Sequence, residues 1–149
     1  MFEQNSIINA TGDVTLILKD MEGNIKEERF IPNLVVTVGR NFIAQRMAQT
    51  PAIMSHMGVG SSTTAPIAGH TSLLSQLGTR AALDEAAIVT NNVVTYKSTF
   101  IPGNGTGAVT EAGIFNASSA GTMLCRTTFA VVNKTADDSL TIIWNITIN

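Results

Sequence analysis

The sequence predicts a mainly β fold: an antiparallel, jelly-roll-like β-sandwich with one or two short inserted helices. Three observations carry that prediction. Apolar residues alternate with polar ones over long runs, most cleanly where Leu140, Ile142, Trp144, Ile146 and Ile148 interleave with Thr141, Ile143, Asn145 and Thr147. Turn residues interrupt these runs about every 8–12 positions, the rhythm of a sandwich. Thr, Val and Ile dominate the runs, and their branched side chains pack well on a pleated surface. The 149 residues fit one domain, long enough to bury about 68–70% of the unfolded surface.

Residues 1–12 are expected to form an N-terminal arm. They are polar apart from Phe2, Ile7 and Ile8, which are candidate interface residues that add a strand to a neighbour's open sheet edge. The remaining domain, residues 13–149, begins with a hairpin over 13–31, a peripheral ribbon turning at Asp20-Met21-Glu22-Gly23-Asn24. Over 34–48 the period changes: Leu34, Val35, Val38, Phe42, Ile43 and Met47 fall three and four apart, one stripe of a helix. The β-branched residues 35–38 shift its start towards Thr37, and Gly39 is a propensity cost inside it.

The main strands fall within residues 53–149. A strand over 53–59 leads out through Gly58 and Gly60 into a loop broken by Pro66 and Gly69. Thr71 is placed to cap a second short helix over 71–77 that buries Leu73, Leu74 and Leu77 and stops at Gly78. Strands are then expected over 80–90, 93–101, 108–115, 122–132 and 140–148. The turns between them are at Asn91-Asn92, 102–107, 117–121 and 133–138.

Composition narrows the function. Net charge is −2 and the Lys and Arg residues are scattered, which argues against a phosphate-neutralising nucleic-acid surface. No apolar run reaches the roughly 18 residues of a membrane helix. The N-terminal residues show no basic region or apolar leader core, so synthesis in a cytoplasm is expected. Only 13% of residues are charged, about half the usual share, which suits a subunit largely covered in an assembly. Cys125 is alone and cannot form an internal disulfide; inside an alternating run it reads as a core thiol.

The chemical candidates reduce to turns and core. His56 and His70 are the only side chains titrating near neutrality without perturbation, and neither has ligand spacing with Cys125 for zinc. No G-x-S-x-G elbow occurs; Ala117-Ser118-Ser119-Ala120-Gly121 reads as a turn. The acidic turn at 20–24 has its Gly in the wrong place for a calcium loop. Gly103-x-Gly105-x-Gly107 opens towards a strand, so no helix end awaits a phosphate. Glu111 is the one carboxylate in a strand expected to be buried, and it needs a cationic partner, Arg80 or Arg126. A structural ion pair outweighs a general acid or base there. The expectation is a protein with no catalytic residue, metal or cofactor.

Four further pieces occur in order: Asn33-Leu34-Val35-Val36-Thr37 with Gly39-Arg40-Asn41; Met57-Gly58-Val59-Gly60 with Thr63-Thr64-Ala65-Pro66; Thr110-Glu111-Ala112-Gly113-Ile114-Phe115 with Gly121-Thr122-Met123-Leu124; and Leu140-Thr141-Ile142 with Trp144. In these the chain resembles a family of small virion structural proteins of tailed bacteriophages. The resemblance runs from about residue 12 onward and touches no catalytic motif. It implies a location on the particle, first as a capsid decoration (cement) protein on the outer shell. Its partners would be the major capsid protein and copies of itself as a dimer or trimer, with no nucleic acid or membrane partner. A tail, baseplate or fibre protein is the alternative, and an envelope-degrading hydrolase a remote one.

Overall fold

In the computed structural model, residues 8–149 are described. The elements run β1 (Ala10–Lys19), β2 (Ile25–Val35), α1 (Thr37–Ala48), β3 (His56–Gly60), β4 (Ala81–Ala82), β5 (Ile88–Thr90), β6 (Val93–Phe100), β7 (Gly107–Phe115), β8 (Met123–Lys134) and β9 (Ser139–Ile148). The strands form one antiparallel sheet of order β4-β3-β7-β8-β2-β1-β9-β6-β5, curled into a half-barrel. The mainly β, sandwich-like architecture expected from the alternation is what the chain adopts.

The curl comes from β2, which serves both halves of the sheet. Its first residues pair with β1, while Leu34 and Val35 pair with Arg126 and Cys125 of β8. Two leaves therefore face each other. The first contributes Leu16, Phe100, Leu140, Ile142 and Trp144 to the core, the second Val59, Val109, Ala112, Ile114 and Val132. Trp144 is fully buried, flanked in register by Val14 and Tyr96. Residues 81–90 cross the seam between the leaves. Ala81 and Ala82 pair with β3, Leu83 bridges Ser98, the Asp84 amide donates to Lys97 O at 2.8 Å, and β5 pairs with β6. The single strand expected over 80–90 is thus two short strands on opposite edges.

Three expectations need correction. The hairpin over 13–31 is not peripheral, because β1 lies between β2 and β9 and pairs with β9 from Ala10↔Ile148 to Lys19↔Ser139. Val14, Leu16 and Leu18 need the burial that matching Trp144, Ile142 and Leu140 provides. The sheet therefore also takes residues 10–12 of the expected arm. Phe2 and Ile7 lie outside the described residues, and Ile8 is exposed.

The helix is shorter than residues 34–48. α1 starts at Thr37, with Leu34 and Val35 still in β2 and Val36 at the N-cap without a side-chain hydrogen bond. Only Gly39 and Phe42 are buried within it, and Met47 projects into solvent.

The second helix, 71–77, does not form. That segment bonds to the free edge of β3 instead: the Leu77 amide donates to Val59 O and the Ser61 amide to Ser75 O, each at 2.8 Å. Leu73 is buried, but Leu74 faces solvent. A two-turn helix is marginal by itself, so ready-made sheet acceptors outcompete it.

Candidate functional site

The second leaf is covered on both faces, which explains why β7 is buried at nearly every position. Ala112 and Ile114 face the barrel core. Glu111, Gly113 and Phe115 face the other way, under the irregular chain that follows β3. Gly58 and Gly113 are register partners on β3 and β7. A Cβ at Gly58 would lie 3.0 Å from one Leu73 methyl, and one at Gly113 would lie 3.2 Å from the other. The two glycines form the floor on which Leu73 sits, completing a small apolar cluster with Val36, Phe115 and Met123. β3 runs His56–Gly60 instead of 53–59, so Gly58 lies inside the strand while Gly60 closes it as expected; both are small because a loop lies on them.

Beside Leu73 a charge pair anchors the same loop. Glu111 and Arg126 have no solvent exposure. Arg126 Nε donates to Glu111 Oε2 at 2.9 Å, and Nη2 lies 2.8 Å from that oxygen without hydrogen-bond alignment. The carboxylate also accepts from the amides of Ser75 at 2.8 Å, Leu74 at 3.2 Å and Ser62 at 3.4 Å. Arg126 Nη1 donates to Thr64 O at 2.9 Å and sits 3.3 Å from His70 Nδ1, which also receives the Ile67 amide. Both neighbours are donors, so Nδ1 of His70 is an acceptor. Thr110 Oγ1 adds a bond to Ser62 O. Chemically this arrangement fastens a loop; the carboxylate's acceptor sites are turned to protein donors.

Arg80, the other candidate partner, is not with Glu111. Its guanidinium lies 3.5 Å from the Phe115 ring centroid and donates to Ala117 O and Ala120 O, closing the turn before β8. Burial holds its pKa below the ordinary arginine value.

A second charged group ties one end of the half-barrel. The two carboxylate oxygens of Asp138 accept from Lys26 Nζ at 2.9 and 3.1 Å, and one of them also accepts from the Thr135 amide. The Lys26 bond and then the Thr135 amide hold its carboxyl below the usual aspartate value. Lys134 is buried close by and donates to Ile101 O, and desolvation lowers its pKa.

An apolar concavity lies between α1 and the β6–β9 face. This cleft of about 360 Å³ is walled by Phe42, Ile43, Met54, Val94, Ile146 and Ile148, with Arg46 and Tyr96 as its polar members. Desolvation, then the neighbouring Cys125, pushes the Tyr96 phenol up to about 12. A smaller cleft on the other side of Ile43 and Ile148 is lined by Ile8, Arg40 and Met47.

The remaining candidates resolve into local structure. His56 Nδ1 meets the hydroxyl of its own neighbour Ser55 at 2.8 Å. Among the described residues no three His, Cys, Asp or Glu side chains converge on a point suited to a metal. In the 20–24 turn, Asp20 accepts the Glu22 and Asn24 amides, and chiefly the latter bond lowers its pKa. Cys125 is enclosed, and burial drives its thiol well above the ordinary value.

Sequence reasoning reached Glu111 and Arg126 through their polarity in an apolar strand. It missed the cleft, because the cleft's walls come from segments far apart in the chain, each made of ordinary core residues. No family model matches the chain, no curated protein matches it, and no solved structure matches its fold.

Proposed function

We propose that this protein is a structural subunit of a bacteriophage virion, working as a capsid decoration protein on the outer shell. The observation that carries the reading is the open sheet edge at β5. Its far side has no strand partner among the described residues, and Ile88 and Val89 are exposed on it. An exposed apolar edge strand is a template for pairing with another chain; β5 is short, three residues, but carries neither charge nor proline to blunt it. The sparse charge of the sequence points the same way. The loop fastened by Glu111 and Arg126 adds rigidity to the opposite leaf, as suits a part under mechanical load.

In this role each subunit spans neighbouring capsomers and adds contacts across seams stressed by packaged DNA. Each contact is modest, and many copies together reinforce the shell. Quantitative mass spectrometry of purified particles tests the proposal. Hundreds of copies per particle are expected; a few tens or fewer would move the protein to the tail, and absence from particles would remove the virion role altogether.

A further inference from the structure

We infer that the cleft between α1 and the β6–β9 face is a binding site for a single-chain aliphatic carboxylate. This does not rest on the virion reading. Three features converge. The cleft's size, about 360 Å³, falls in the range of small-molecule sites, about 300–1,000 Å³, and its walls are almost entirely aliphatic or aromatic.

Tyr96 is only 8% exposed and lines the cleft, yet its hydroxyl makes no hydrogen bond among the described residues. The hydroxyl is not among the enclosed polar atoms left without a partner, so it is open to solvent and not sealed in the core. In Tyr96 the phenol stays protonated, with desolvation raising its pKa to about 12, so it is a donor awaiting an acceptor.

The third feature is charge. Arg46 lines this cleft and Arg40 one adjoining cleft, and neither is lined by an Asp or Glu; Glu85 lines a second adjoining hollow that shares Ile53, Met54, Ala86 and Ala87. Arg46 donates Nη1 to Pro51 O, and its other guanidinium N–H groups make no hydrogen bond among the described residues. α1 itself contains no acidic residue. An apolar interior with a phenol donor and a guanidinium fits an alkyl chain ended by a carboxylate, which accepts from both. A neutral hydrocarbon would leave the phenol unpaired, and a cationic amphiphile would meet Arg46.

Dodecanoate, kept below its micellar range, is the probe. Calorimetric titration should show saturable one-to-one binding to the wild-type chain, with dodecanol about tenfold weaker for want of the charge-assisted bond. Arg46→Gln should weaken dodecanoate about tenfold and Tyr96→Phe about threefold, the scale of one charged and one neutral hydrogen bond. Both variants keep the apolar walls, and unchanged melting temperatures would confirm intact folds. Absence of saturable binding overturns the inference, as does equal affinity for acid and alcohol, or wild-type affinity in both variants. Binding to phosphatidylglycerol vesicles without binding of dodecanoate would also overturn it, making the face a lipid-surface contact.

Discussion

Removing the charge of Glu111 should be among the most damaging single changes to this chain. Glu111→Gln keeps the shape but only one carbonyl acceptor, so its NH2 must face either the Ser75 and Ser62 amides or the Leu74 amide and Arg126. Arg126 also remains, with no solvent exposure and its only countercharge gone. Breaking a buried pair from one side costs about 3–5 kcal/mol. For a domain of this size, each kcal/mol shifts Tm by roughly 3 °C, so a drop of about 10 °C or more is expected. Thermal or urea unfolding followed by the fluorescence of Trp144, the only tryptophan, measures it.

The double variant Glu111→Gln/Arg126→Met should recover a substantial part of the loss, because it removes the orphaned charge as well. Limited proteolysis adds a local readout: residues 61–78 should be cut faster in the single variant while the strands stay protected. A single variant melting within about 2 °C of the parent, less than 1 kcal/mol on that scale, would refute the reasoning, showing that water reaches Arg126 and the pair is not sealed.

Trp144→Ala should cost about 3–5 kcal/mol, since the indole fills the centre of the core; a Tm near that of the parent would mean the leaf repacks around the cavity. Gly39→Ala should destabilise even though alanine is about 1 kcal/mol the better helix former, because the new methyl meets the Leu124 carbonyl oxygen; a raised Tm would contradict that contact. Tyr96 is the only tyrosine, so ultraviolet titration reads it alone: the folded protein should ionise near 12 instead of 10. Because that pKa is raised on folding, the associated stability is full below pH 10 and fades as pH climbs towards 12, so alkaline unfolding should be milder in Tyr96→Phe. The sign reverses for Asp138, whose pKa is depressed: its contribution holds above about 3.8 and is lost as pH falls through the folded value. Asp138→Asn should therefore flatten the acid limb of a stability–pH curve.

Much of this molecule follows from local pattern. The alternation in residues 140–148 sets the strand and its buried face, because a period of two leaves no other way to hide Leu140, Ile142 and Trp144 together. The positive φ of Gly23 and Asn91 likewise follows from turn chemistry written beside each strand. A carboxylate and a guanidinium inside apolar strands could only be buried as a pair, so Glu111 and its two possible partners were legible.

Choosing Arg126 over Arg80 needed the tertiary structure: β7 and β8 pair so that Gly113 faces Arg126, which aims the guanidinium at Glu111. The fate of residues 71–77 was decided the same way, by acceptors on β3 that lie far away in sequence. Gly39, a blemish by helix propensity, is required by the carbonyl of Leu124, much further along the chain. The central place of β1 also depended on a partner at the far end of the chain. Local sequence determines which face of an element must be hidden, but only long-range packing determines what hides it.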